Sequence, residues 1–223
     1  MIFRDREEAG RLLAAQLDAF RGQRAVVLGL PRGGVPVAYE VARALALPLD
    51  VLVVRKLGAP DEPELGMGAV AEGGVRIVDP HIVAAVGATD DDVERIAARE
   101  LREVERRVER WRGTTPARSL EGKVAIVVDD GIATGGTVRA ALQALRRKKP
   151  TRIVLAVPVA PTSTLFSLRR EADEIVCLEE VDMLWSIGAW YEDFAQVSDT
   201  RVTELLEQAR TRRVEESAQR PSG

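Results

Sequence analysis

The residues best equipped for chemistry form one run, Val127-Val128-Asp129-Asp130-Gly131-Ile132-Ala133-Thr134-Gly135-Gly136-Thr137. Asp129 and Asp130 can accept charge-assisted hydrogen bonds from neighbouring sugar hydroxyls. Gly135 and Gly136 lack a Cβ, so the backbone can curl round an anion, and Thr134 and Thr137 add hydroxyl donors. An apolar stretch at 124–128 precedes the run and a helical pattern at 138–148 follows it. The N–H groups of such a turn and helix start are unpaired and carry the positive end of the helix dipole. Strand, acidic pair, glycine turn and helix start together suit a phosphorylated sugar. An ordinary strand-to-helix turn would explain one Asp and one Gly, but not the ordered set.

The run resembles the 5-phosphoribosyl-1-pyrophosphate (PRPP) motif of type I phosphoribosyltransferases: hydrophobics, two acids, small residues, then Thr-Gly-Gly-Thr. It is neither a Walker A loop, because no Gly-Lys-Ser/Thr follows, nor Gly-x-Gly-x-x-Gly. The resemblance covers most of residues 24–180. It implies an α/β fold with a mainly parallel central sheet flanked by helices, a small hood and a flexible loop. It also places the PRPP 5′-phosphate on Ala133, Thr134, Gly135, Gly136 and Thr137, and two ribose hydroxyls on Asp129 and Asp130. Mg²⁺ would arrive with PRPP and touch Asp129 or Asp130 only weakly, since it favours octahedral oxygen ligands and keeps waters. In many base-specific relatives a third acid stands four residues after the second Asp. Position 134 is Thr here, so the resemblance does not carry 6-oxopurine salvage over.

A second loop, Gly29-Leu30-Pro31-Arg32-Gly33-Gly34, also sits between an apolar run and a helical pattern. It is similar to the loop that grips pyrophosphate in the same family, often through a non-proline cis peptide, here Pro31–Arg32. Pro31, Arg32, Gly33 and Gly34 would then hold pyrophosphate, Arg32 through its planar cationic fork. A structural Pro-Gly turn with a surface Arg is the alternative. Arg55-Lys56 resembles a strand end that carries Arg-Lys in relatives, so Lys56 joins Asp129, Asp130 and Arg32 as a catalytic candidate. Residues 58–66 read equally as a loop closing over the site or as a solvated charged loop. Trp185, Trp190, Tyr191 and Phe194 fall where the resembled fold builds a hood. Trp190 and Tyr191 are candidates for stacking on an acceptor, with hood core or a dimer contact as the other reading. General-base duty, if needed, would fall to Glu64, Glu72 or a hood residue. His81 reads as a surface or capping residue, and Cys177, in an apolar run, as inert.

These residues must be positioned by alternating elements. Helical patterns over residues 9–20 and 35–47, apolar runs at 25–30 and 51–54, and further strands at 124–128, 153–157 and 174–178 imply crossover connections and a parallel sheet. Residues 69–72 and 75–78, joined by Gly73-Gly74, read as a hairpin. The charged segment 90–112 carries a narrow seam, Val93, Ala97, Leu101, Val104, Val108 and Trp111, for packing on the domain or on a second copy. A helix around 164–171 and another from Ser198 to about 210 complete the pattern. We expect one domain over 1–213, the hood at about 180–197, and a polar mobile tail over 214–223.

Composition sets bounds. Hydrophobic residues are 46% and charged residues 30% of 223, with a net charge of −3 and one Cys. These values fit a soluble protein in a reducing, cytoplasmic setting, without general nucleic-acid affinity, signal peptide or membrane span. Arg exceeds Lys and Asn is absent, compatible with a GC-rich genome or with heat tolerance. The expected activity is Mg-dependent transfer of the phosphoribosyl group of PRPP to a small-molecule acceptor, a nitrogenous base, with pyrophosphate release, in a possible homodimer. The alternatives are a non-catalytic PRPP sensor, or a hydrolase or phosphorylase acting on a phosphoribosyl substrate. The arginines of 99–110 alternate with glutamates, which argues against RNA control.

Overall fold

The computed structural model describes residues 1–63 and 65–218. In chain order the elements are α1 (Arg6–Gln16), β1 (Ala25–Gly29), α2 (Gly34–Leu45), β2 (Leu49–Val51), β3 (Val54–Gly58), β4 (Gly66–Ala71), β5 (Val75–Val78), α3 (Pro80–Ala85), α4 (Asp90–Arg112), β6 (Val124–Val128), α5 (Gly136–Arg146), β7 (Arg152–Pro161), α6 (Thr162–Leu168), β8 (Glu174–Val181) and α7 (Asp199–Ala218). The central sheet has five parallel strands in the order β2-β1-β6-β7-β8, and β3-β4-β5 form a separate antiparallel sheet. The fold is therefore α/β with helices on both faces of a parallel sheet.

Both faces of that sheet are buried, which is why β1 and β6 read as unbroken apolar runs. Side chains alternate: Val27, Ile126, Val128 and Val154 join a core with α1, α2 and α7. Val26, Leu28, Val127 and Leu155 join the opposite core with α5 and α6. Burying each such side chain contributes roughly 1.5–3 kcal/mol, against about 0–1 kcal/mol for an exposed ion pair. The sheet, not the charged surface, carries the fold.

The parallel sheet, the 69–78 hairpin and helix 90–112 agree with the sequence pattern. Gly73 and Gly74 take φ of 77° and 73° in the hairpin turn. The Thr89 hydroxyl accepts from Asp92 N–H while the Asp92 carboxylate accepts from Thr89 N–H, a reciprocal start for α4. The α4 seam packs on the body of this chain, with Val93, Ala97, Val104 and Trp111 buried.

Other expectations need correction. The apolar run at 51–54 is not one strand: β2 ends at Val51 in the main sheet and β3 begins at Val54 in the small one. Hydrophobicity is continuous there, so composition could not reveal the change of sheet. Helix α1 stops at Gln16, and a 3₁₀ turn over Asp18–Phe20 completes the predicted span. Helix α7 runs to Ala218, through residues expected to be a mobile tail. Residues 219–223 of that tail lie outside the described residues, as does Glu64. Among the described residues no helix is long and apolar enough to cross a membrane.

Candidate functional site

Strands β1 and β6 are parallel neighbours, with Gly29 in register with Val128, so the loops that follow them leave the sheet side by side. From β1 the chain proceeds to β2 on one side, while β6, β7 and β8 lie on the other. The strand order reverses there, the place where open α/β sheets leave a ligand crevice. Leu30 N–H donates to Val128 C=O at 2.9 Å, tying the two loops together at their roots. The Pro31–Arg32 peptide is cis, as the resemblance implied.

The loop after β6 is fixed at its base and open at its tip. Ile132 N–H donates to Val159 C=O at 2.9 Å, and Thr164 Oγ1 donates to Ala133 C=O at 2.9 Å. Gly135, at φ 79°, precedes α5, and no side chain caps that helix. Ala133, Thr134, Gly136 and Thr137 are exposed. The N–H groups of this turn and of the first turn of α5 are therefore presented outward, an arrangement suited to an anion. A Cβ on Gly136 would meet nothing within 4 Å.

The glycines of the loop after β1 are set against the two acids. A Cβ on Gly33 would land on the Asp130 carboxylate, and one on Gly34 would lie 2.8 Å from the Asp129 Cα and 3.0 Å from Asp129 Oδ1. Only glycine permits this approach, which brings together two motifs nearly a hundred residues apart in sequence.

The two acids differ sharply. Asp129 is half-buried, and burial, reinforced by the Asp130 charge, holds its carboxyl well above the ordinary carboxylate range. Asp130 is buried and already paired: Arg6 Nε donates to its Oδ2 at 2.8 Å. The Arg6 guanidinium also lies 3.8 Å from the Phe194 ring centroid, and its Nη1 donates to Ala195 C=O at 2.8 Å. The resemblance assigns a ribose hydroxyl to each acid; in this structure an arginine from α1 already occupies one oxygen of the second. No local feature marks Arg6. Only the fold brings α1 over the end of β6.

Tyr191 is also placed differently from its proposed stacking role. It is buried between Phe3 and Phe194, with ring centroids at 5.4 and 5.1 Å, and its hydroxyl donates to Asp130 C=O at 2.6 Å. Burial first, then the Asp130 charge, pushes its phenol upward, so it stays a donor. Tyr191 braces the acid loop. Trp190 is half-buried beside it, and Trp185 is 90% exposed. The hood does reach the loop, through Ile187, whose side chain lies over Gly131.

Lys56, on β3, lines a cavity of about 570 Å³ that Pro31, Arg55 and Thr137 also line. It lines another, of about 950 Å³, with Thr134 and Gly136. Between the antiparallel β3 and β4, Ala59 N–H donates to Leu65 C=O at 2.8 Å and Leu65 N–H to Glu62 C=O at 2.9 Å. Glu72 is not positioned as a base: Arg112 and Lys148 occupy its two oxygens at 2.6 and 3.0 Å. Arg32 turns toward α7, with Nη1 3.8 Å from Asp199 Oδ1. Among the described residues no group of three or more His, Cys, Asp or Glu could hold a metal.

The model of the phosphoribosyl transferase domain family matches residues 4–194. Two Mycobacterium tuberculosis proteins, from strains CDC 1551 and H37Rv and each named provisionally as a phosphoribosyl transferase, are 45% identical over 208 residues, covering 93% of this chain and 47% of theirs. The chain thus spans about half the length of the curated relatives it matches. The crystal structure of TT1426 from Thermus thermophilus superposes with a TM-score of 0.85 at 44% identity, over 93% of this chain and 99% of that one.

Proposed function

Because the chain belongs to the phosphoribosyl transferase domain family, we propose that it transfers the 5-phosphoribosyl group of PRPP to a nitrogenous acceptor and releases pyrophosphate. One observation carries this reading: the glycine loop at 31–34 and the acid-glycine loop at 129–137 leave adjacent strands and meet at Gly33, Gly34, Asp129 and Asp130.

Displacement at the ribose C1 builds positive charge on the sugar and negative charge on the departing pyrophosphate, so positioning and neutralisation are the main tasks. In this reading Ala133 to Thr137 hold the 5′-phosphate through backbone N–H groups and two hydroxyls. Asp129 takes a ribose hydroxyl, an interaction that favours its charged form against its burial. Asp130, neutralised by Arg6, fixes the loop instead of the sugar. Pro31, Arg32, Gly33, Gly34 and Lys56 face the pyrophosphate end. Magnesium, when bound, would supply further neutralisation of diphosphate oxygens. The donor set fits a metal that arrives with its ligand, since Asp129 is the one acid of the pair without an arginine partner. Ile187 and Trp190 line the hood side, where the acceptor would lie. Cys177, whose thiol burial pushes up to about 11, is unreactive.

The test is incubation with PRPP, Mg²⁺ and a panel of purine, pyrimidine and pyridine bases, following pyrophosphate release. Release with one base and its loss in Asp129→Ala support the reading. Failure of the protein to take up PRPP in calorimetry would sink it. A second reading, a PRPP sensor without turnover, is favoured by the capture of Asp130 by Arg6. Tight PRPP uptake with no release from any acceptor is its signature.

A further inference from the structure

We propose that the face of α4 turned toward the Pro31–Arg32 loop is a binding site for a phosphate or diphosphate group, with Arg106, Arg107 and Arg110 joining Arg32 as its ligands.

The argument begins with charge. A cavity of about 420 Å³ is bounded by Arg32, Arg106, Arg107 and Arg110, with Pro31, Trp111 and Asp199 completing its wall. The four guanidinium groups share two carboxylates. Glu103 serves two of them: Arg106 Nε and Nη2 donate to its oxygens at 2.8 Å each, and Arg107 Nε at 2.6 Å. These contacts hold the Glu103 carboxyl down at about 2, so it stays charged yet already spent. Asp199 serves the other two, pairing with Arg110 and lying 3.8 Å from Arg32. Two positive charges are left over. Elsewhere along α4 Arg95 pairs with Asp92, and Arg99 shares Glu100 with Arg55 from β3. Here four guanidinium groups on two carboxylates converge on one cavity.

The site is also built on rigid elements. Trp111, 3% exposed, donates from Nε1 to Asp199 Oδ1 at 3.0 Å, joining the end of α4 to the start of α7. Arg107 lies 6.0 Å from the Trp111 ring centroid. Planar guanidinium forks held on packed helices match the tetrahedral oxygens of phosphate and lose little freedom on binding. A merely solvated charged face would need neither the cavity nor the convergence of Arg32 from a different loop.

Position connects the cavity to the crevice. Pro31 and Arg107 line both this cavity and the neighbouring one, which extends to Lys56 and to Thr137 at the start of α5. A ligand anchored by its phosphate at 133–137 could therefore place a second phosphate group against α4. That source, the diphosphate end of PRPP, rests on the function proposed above. The other source is a separate phosphorylated ligand, and the chemistry of recognition is the same.

The test uses inorganic pyrophosphate in calorimetry at low salt, with ribose 5-phosphate as a control ligand. Arg106→Gln/Arg110→Gln is expected to weaken pyrophosphate binding by about tenfold or more, as loss of two charge-assisted donors at a partly exposed site implies. Arg106→Gln alone, which keeps the Arg110–Asp199 pair, should give a smaller loss in the same direction. Arg102→Gln removes the same charge from an exposed α4 position outside both cavities and should leave binding unchanged. Glu103→Gln, by releasing two guanidiniums, should tighten it. Ribose 5-phosphate should bind all variants alike. Saturation with PRPP separates the sources: pyrophosphate uptake abolished identifies the PRPP diphosphate, and a persisting equivalent identifies a separate ligand. The proposal is overturned if the native protein takes up no pyrophosphate, or if the double variant binds it as tightly as native or Arg102→Gln. Should PRPP itself fail to bind while the arginine variants still lose pyrophosphate, the function proposed above falls and this site stands.

Discussion

Arg106 and Arg112 lie on one helix, fewer than two turns apart, and are held in opposite ways. Arg112 is buried, with Nε on Asp50 Oδ1 at 3.0 Å, Nη1 on Glu72 Oε2 at 2.6 Å and Nη2 on Val51 C=O at 3.0 Å. Arg106 is half-exposed and shares Glu103 with Arg107. Arg112 therefore has every partner it needs, and it fastens α4 to β2 and to the turn that follows β4. Arg106 has less than it needs, in contact with solvent, and can take up another anion. The acid pair shows the same division, with Asp130 sequestered by Arg6 and Asp129 left to a ligand. Charge alone does not mark a site. Charge left unmatched beside an opening does.

The comparison can be broken most severely at Arg112. Arg112→Met should cost about 3–5 kcal/mol, because Asp50 is left buried without its cation; denaturant unfolding measures it, and a loss below about 1 kcal/mol would remove the distinction. Arg6→Ala comes next. It strands the largely buried Asp130 carboxylate, at about 2–3 kcal/mol, and Arg6→Lys should recover part of this. If Arg6→Ala unfolds like the native protein, Asp130 is not sequestered. Gly33→Ala pushes a methyl onto the Asp130 carboxylate, so stability should fall by on the order of 1 kcal/mol. PRPP binding should fall with it, read by calorimetry on the folded variant.

The smallest effect is a pH slope. Glu103 sits at about 2 in the folded protein against an ordinary 4.5, through its bonds to Arg106 and then Arg107. Its contribution is therefore complete above about 4.5 and is lost as pH falls toward 2. Glu103→Gln should flatten unfolding stability across that window only slightly, because the pair is exposed and solvent screens it. A large change would mean that Glu103 is structural, like Glu72.

Local chemistry decided much of this protein. Apolar runs without a polar break at 25–29 and 124–128 specify strands buried on both faces, and Thr89 with Asp92 specifies where α4 begins. Asp129 through Thr137 specifies an anion cradle, because glycines and a helix start act within a few residues. What lay beyond the sequence depends on contacts between distant segments. Arg6 reaches Asp130 across 124 residues, Tyr191 braces the same acid from the hood, and β3 leaves the main sheet inside one apolar run. The charged helix read as self-neutralised because the alternation of Arg and Glu along the chain ignores which side chains share a face. The fold turns Arg106, Arg107 and Arg110 toward Arg32, and only in three dimensions do four cations meet two anions. Propensity and patterning act over a turn or a strand, whereas burial and charge balance are properties of the assembled neighbourhood.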